Sequence, residues 1–203
     1  MRSLTISAAV IFIFGLASFA TVYQVPSQYS TIQAGVNACT TGDTVMVAAG
    51  TYYENVTISC GLTLLGDDMF TTIIDGNGVG QCLRVDRVTG SVGKISGFTI
   101  TNCGTGVYNN FACAGLVVYT SGSGAWDISW NYFKDLPNIG YLAFDGGTVT
   151  RNVFENCGNS GSYNSGIMIS SYSNLTVENN TFCNCNETIY RHAGAVGCTI
   201  RNN

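Results

Sequence analysis

Apolar and polar positions recur in this chain in a fixed order. Residues 95–103, 128–136, 149–157, 177–185 and the short 200–203 align without gaps. Each copy runs apolar, two variable residues, usually Asn, one variable, Phe or Ile, one variable, Asn or Asp, then Cys or Leu. The first column is Ile95, Ile128, Val149, Val177 and Ile200, and the fourth is Phe98, Asn131, Asn152, Asn180 and Asn203. Ile100, Phe133, Phe154 and Phe182 form the sixth, Asn102, Asp135, Asn156 and Asn184 the eighth, and Cys103, Leu136, Cys157 and Cys185 the ninth. A second apolar segment precedes three of the copies, at residues 115–119, 140–144 and 166–170, each opening on glycine.

Successive copies are 33, 21, 28 and 23 residues apart, the range of a solenoid in which each copy is one turn of a coil. The pattern predicts an all-β fold, a right-handed parallel β-helix with a short N-terminal capping helix. The longer spacings predict insertions near residues 109–114 and 158–165. Stacked coils place equivalent residues about 4.8 Å apart, so each inward column becomes a continuous ladder of like side chains. Ile and Phe columns fill the interior. The Asn column, Asn131, Asn152 and Asn180, is expected at a bend, each amide donating to the next and satisfying backbone groups the turn leaves unpaired. The Cys column has two readings: stacked thiols acting as small apolar fillers, or a disulfide between Cys157 and Cys185.

Composition narrows the picture. Charged residues are only 10% of the chain and glycines number 25, which suits short strands and tight turns rather than exposed helices or disorder. Arg2, an apolar stretch over residues 4–16 and Ser18-Phe19-Ala20 predict a signal peptide over residues 1–20, cleaved after Ala20. The apolar stretch is shorter than the roughly 20 residues of a membrane span. Residues 21–203 then form the β-helix domain, expected secreted or extracellular, at a cell surface or in a periplasm, with no membrane contact after cleavage. Without Arg2, seven Lys and Arg face twelve Asp and Glu, a balance that excludes a nucleic-acid binder. The chain stops inside a copy of the repeat, at Asn203, and further turns are expected beyond it. Nine cysteines in an exported chain favour some disulfides, with Cys39 and Cys60 the first candidates. Asn55, Asn174, Asn179 and Asn186 open Asn-x-Thr triplets that a eukaryotic source could glycosylate.

Ahead of the repeat, Ser30 or Thr31 can cap a short helix with Ile32, Val36 and Cys39 on one face. Gly42-Asp43 then turns the chain into a first strand over residues 44–48. Thr31-Ile32-Gln33-Ala34, followed by Gly42-Asp43-Thr44-Val45 and Gly50-Thr51-Tyr52-Tyr53-Glu54-Asn55, resembles the opening of the pectin lyase-like superfamily of right-handed β-helix proteins. Leu62-Thr63-Leu64-Leu65-Gly66 and Thr72-Ile73-Ile74-Asp75-Gly76 fit the same opening. The resemblance implies a coil closed by the helix and, for function, polysaccharide lyases, polygalacturonases, pectin methylesterases, uronate epimerases or non-catalytic adhesins. The Gln-Asp-Thr-Leu motif of the methylesterases, the Asn-Thr-Asp, Gly-His-Gly and Arg-Ile-Lys motifs of the polygalacturonases and the Asp-Pro-His of the epimerases are all missing from the sequence. The catalytic residues stay unassigned.

Outward residues supply the candidate chemistry. A lyase acting on a uronic-acid polymer needs a cation or Ca²⁺ to neutralise the sugar carboxylate, and a base beside it. Ca²⁺ is called for only in that case; no other cofactor and no metal site is evident. Lys134 and Glu155 share an outward column, Glu178 and Arg201 share another, and Arg84, Asp86, Arg87 and Lys94 cluster in sequence. Each of these sets reads first as exposed ion pairs of small value, ahead of any catalytic role. Trp126 falls in an inward column with Leu175 and Cys198, whereas Trp130 and Tyr132 project outward, where rings stack on sugars or simply meet solvent. His192 sits in an expected loop. The substrate-binding candidates are Trp130, Tyr132, Lys134 and Glu155, the expected partner a polysaccharide or cell-surface glycan. The expected function is binding or processing of an acidic, pectin-like polymer, by lyase or hydrolase chemistry if catalytic; a non-catalytic surface or adhesion module is the alternative.

Overall fold

The structure, a computed structural model, describes residues 19–104, 114–121, 124–143, 146–158, 165–170, 174–191 and 197–203, with the backbone alone at 87, 89, 120, 121, 142 and 143. Residues 1–18 of the expected signal peptide, residues 109–113 and 159–164 of the expected insertions, and His192 lie outside the described residues. One coil shows the plan. Trp126–Ser129 lies in a first sheet, Tyr132–Lys134 in a second and Ile139–Ala143 in a third, and the chain then returns to the first sheet at Gly147–Thr150. Among the described residues the sheets have eight, six and six strands, and every pairing is parallel. The molecule is a three-sided, right-handed parallel β-helix.

The columns read from the sequence are the register of the sheets. Ile95, Ile128, Val149, Val177 and Ile200 are successive partners in the first sheet, and Leu64 and Val45 extend the row toward the N-terminus. Ile100, Phe133, Phe154 and Phe182 are partners in the second. The Phe133 and Phe154 rings lie 4.6 Å apart at 3° and the Phe154 and Phe182 rings 5.0 Å apart at 11°. Parallel strands in register impose this face-to-face stack on side chains that would otherwise prefer an offset or edge-on approach. The glycines that open the third-sheet segments lie against these rings. A Cβ on Gly140 would sit 2.9 Å from a Phe154 ring carbon, and one on Gly166 2.8 Å from a Phe182 ring carbon. The third sheet therefore closes on the Phe column through bare backbone.

The Asn ladder stands at the corner between the first and second sheets. Asn131, Asn152 and Asn180 are 0%, 1% and 4% exposed. The Oδ1 of Asn152 accepts the Asn131 backbone N–H at 2.9 Å and its Nδ2 at 3.2 Å, while Nδ2 of Asn152 donates to the Ile128 carbonyl at 2.8 Å and to Asn180 Oδ1 at 3.1 Å. Asn180 repeats the pattern with Asn203 and the Val149 carbonyl. Phe98, which occupies this column in the preceding coil, donates only its backbone N–H to Asn131 Oδ1, at 3.2 Å. The eighth column has a different cause. Asn102, Asp135, Asn156 and Asn184 all have φ between 50 and 54°, the left-handed region that Asn and Asp tolerate best among residues with a side chain.

The N-terminal opening is a plug. Thr31 caps the helix Ile32–Ala38, accepting the Ala34 N–H at 3.1 Å. From the next coil, Glu54 accepts the Ile32 and Gln33 N–H groups at 2.9 Å each, and Gln33 in turn donates to the Thr57 carbonyl and accepts the Thr57 N–H. Asn55 donates Nδ2 to the Val79 and Gln81 carbonyls at 2.6 and 2.7 Å, so its amide is committed to the next loop. Two expectations need correction. The first strand is Val22–Val25, which pairs in parallel with Thr44–Val47, so the segment expected to lead is second. Cys39 and Cys60 lie side by side as thiols, Cys60 Sγ 3.8 Å from the Cys39 carbonyl, and no disulfide joins them.

Asn152→Ala deletes one rung and strands buried groups on both neighbouring coils. It is expected to lower unfolding stability by roughly 2–4 kcal/mol. Thr148→Ala, on the exposed outer face of the same coil, should change it by less than about 0.5 kcal/mol. Chemical denaturation of both variants checks this, and equal effects would exclude the ladder as the stabilising feature.

Candidate functional site

The corner that carries the Asn ladder also carries two outward aromatic residues, Trp130 exposed and Tyr132 half-buried. Trp130 precedes Asn131 and Tyr132 follows it, so a fully buried amide fixes the backbone between two outward rings. The position before the ladder is left-handed in every coil that has it: Gly97 at φ 86°, Trp130 and Arg151 at 57°, Asn179 at 56° and Asn202 at 52°. Gly and Asn take that conformation readily, but for Trp and Arg it costs about 1 kcal/mol or more. The two unsuited residues sit on adjacent coils and meet, the Arg151 guanidinium lying 5.7 Å from the Trp130 ring centroid. The Trp130 side chain is 53% exposed.

Tyr132 and Lys134 flank the inward Phe133 on Tyr132–Lys134 and so face outward together. The Lys134 ammonium lies 5.8 Å from the Tyr132 ring centroid. Lys134 and Glu155 are register partners, and the Tyr132 phenol donates its hydrogen bond to the Glu155 carboxylate. Burial first, and the Glu155 carboxylate second, push the Tyr132 phenol up to about 12. At neutral pH this group is a proton donor and not a base.

Phe70 completes the face from an earlier coil. Asp68 holds its turn, accepting the Phe70 N–H on Oδ1 at 2.9 Å and the Thr72 N–H on its carbonyl at 2.9 Å. The 60% exposed Phe70 ring then meets Tyr132 edge-on at a centroid distance of 5.8 Å. Neither Phe70 nor Arg151 was singled out by sequence reasoning. The one signal was the mismatch of Arg151 and Trp130 with a column otherwise held by Gly and Asn.

The remaining candidates are accounted for as ion pairs. Arg84 pairs with Asp86 at 2.7 Å, Lys94 with Asp127 at 2.9 Å, and Arg201 with Glu178; the Arg87 side chain lies outside the described residues. Lys134 and Arg151 make no ion pair among the described residues. Trp126 is buried in the first sheet, its register partner Gly93 leaving room for the indole. No group of three or more His, Cys, Asp or Glu comes together among the described residues, and no helix among them is long and apolar enough to cross a membrane. A groove of about 550 Å³ near the N-terminal end is lined by Val25, Pro26, Met46 and Leu65 with Asp67, and offers no cation.

The fold defines the class, a parallel β-helix with an aromatic and cationic face beside its Asn ladder. Compared with known proteins, the chain matches no family model, no curated protein and no solved structure.

The Tyr132–Glu155 contact is open to titration. The ordinary phenol titrates near 10, so any stability it lends is complete below that pH and is lost as pH rises toward about 12. Ultraviolet difference titration of Glu155→Gln should show one tyrosine titrating at lower pH than in the parent protein. An unchanged curve would mean that the carboxylate does not act on this phenol.

Proposed function

We propose that the protein is an exported β-helix that binds an acidic polysaccharide along the face formed by Phe70, Trp130, Tyr132, Lys134 and Arg151. The observation that carries this reading is the pairing of an exposed ring, Trp130, and a half-buried one, Tyr132, with two cations that have no carboxylate partner among the described residues. Pyranose rings present apolar C–H faces that stack on aromatic side chains, and uronate carboxylates pair with Arg and Lys. Coils stacked at the interstrand spacing make such a face linear, which suits a polymer. The strained backbone at Trp130 and Arg151 supports the same conclusion, because stability alone would favour Gly or Asn there. The resemblance of the opening to the pectin lyase-like superfamily, and a leader that directs export, agree with a pectin-like ligand outside the cell.

Binding without turnover is favoured over processing by one feature. Glu155 is engaged by a phenol that stays protonated, so the carboxylate beside the cations among the described residues is already hydrogen-bonded. If the protein is instead a lyase, Ca²⁺ would supply the missing charge neutralisation. Incubation with polygalacturonate, pectin and alginate, with and without added Ca²⁺, separates the two: unsaturated or reducing ends mark an enzyme, and retention without release marks a binding module.

Affinity electrophoresis in polygalacturonate should show retardation that weakens with salt. Trp130→Ala should reduce affinity about tenfold, the equivalent of roughly 1.4 kcal/mol of ring stacking and cation contact. Lys134→Ala with Arg151→Ala should remove the salt dependence. Absence of retardation by any acidic polymer would refute the proposal.

A diagnostic variant is Trp130→Asn. It should raise unfolding stability by about 1 kcal/mol through relief of the left-handed strain while weakening binding. Loss of both stability and binding would assign Trp130 a packing role.

A further inference from the structure

Six of the described cysteines fall into pairs on neighbouring coils, and the pairs differ in access. Cys82 and Cys103 are 0% and 2% exposed and share a hydrogen bond that, with burial, pushes the Cys82 thiol well above its ordinary range. Cys39 and Cys60 are partly exposed, yet burial raises both, Cys39 to about 11. Cys157 and Cys185 occupy the same column on adjacent coils, two residues beyond the register partners Glu155 and Cys183. Cys157 is completely buried and Cys185 is partly exposed. The two thiols act on each other, Cys185 raising Cys157 and Cys157 lowering Cys185. Cys157 Sγ also lies 3.4 Å from the Phe133 carbonyl and Cys185 Sγ 3.5 Å from the Phe154 carbonyl, the same contact one coil apart.

We propose that Cys157 and Cys185 form a redox-active dithiol which low-molecular-weight disulfides oxidise in the folded protein, stapling two coils together while Cys82 and Cys103 stay reduced. Access fixes the order of events. Only Cys185 can be reached, so its thiolate attacks one sulfur of the incoming disulfide, whose S–S bond breaks and releases one thiolate. Cys157, already in contact, then gives up its proton and attacks the Cys185 sulfur, expelling the second small thiol. Two protein thiols are oxidised and one external disulfide is reduced to two thiols. The Cys157 thiol favours this course, lowering the Cys185 thiol to about 7 while Cys185 and burial raise Cys157. A thiolate is thereby present at the reachable sulfur at neutral pH. In-register coils bring the Cα atoms to about the 4.4–6.8 Å a disulfide spans.

The test uses the reduced protein, incubated with glutathione disulfide at neutral pH, quenched with N-ethylmaleimide in denaturant and cleaved after glutamate. Cleavage separates Cys157 on fragment 156–178 from Cys183 and Cys185 on fragment 179–187, with Cys82 and Cys103 both on 55–155. The expected result is a cross-link between 156–178 and 179–187, its retention in Cys183→Ser, and alkylated Cys82 and Cys103. Cys157→Ser should stop at a single glutathione on Cys185. Unlinked fragments in the parent protein, a loop between Cys183 and Cys185, loss of the cross-link in Cys183→Ser, or earlier oxidation of Cys82 and Cys103 would each overturn the proposal. The parent digest decides the matter even if the Cys157 variant fails to fold.

Discussion

A buried carboxamide column is the interaction on which the molecule depends. Each Asn side chain has two N–H donors and an acceptor oxygen, and each coil corner has a backbone N–H and a carbonyl that the sheet ladders cannot reach. Asn131, Asn152 and Asn180 match these demands one to one, accepting from the coil before and donating to both neighbours. Gln is too long and Asp lacks the donors, so the column specifies its residue type as well as its polarity. It also fixes axial register. A coil that slipped by one residue would bury Trp130 or Tyr132 in place of an amide and expose Phe133.

This explains why the fold was so legible. A repeat that demands one amide, one ring and one small aliphatic at set intervals writes those residues into the sequence, and the hydrogen-bonded register reproduces the alignment column by column. The misses have local causes. Val22–Val25 is a single short strand with no earlier coil to establish its pattern. Cys39 and Cys60 could be seen to be near one another, but the oxidation state of two thiols is not encoded in spacing. Of the candidate site, Tyr132, Lys134 and Glu155 were visible because strand alternation throws them outward, and Trp130 because it stands at the bend just before the ladder amide. Phe70 and Arg151 were not, since Phe70 arrives from a turn outside the repeat and Arg151 occupies a position that looks merely variable until its backbone angle is known.

The face and its scaffold make opposite demands on the same few residues. The ladder holds the corner rigid, and rigidity allows Trp130 and Arg151 to persist in a conformation that either would leave if free. Ring and guanidinium are then held together, and a ligand meeting them has little ordering left to impose. Glu155 is drawn to Tyr132 and Asp135 accepts an amide from Asn156, which leaves the neighbouring Lys134 without a carboxylate partner among the described residues. An acidic protein thus keeps a local cationic edge without any excess of basic residues.

The Glu54 clasp has a consequence for how the two ends of the coil divide their tasks. Its carboxylate, the Gln33 amide and Asn55 lock helix, second coil and third coil into one closure using side chains that never touch the outward faces. Every outward residue farther along the coil can be exchanged with that closure intact. The N-terminal end of this chain is thereby defined by how its interior is stoppered against water, independently of what its outward faces carry.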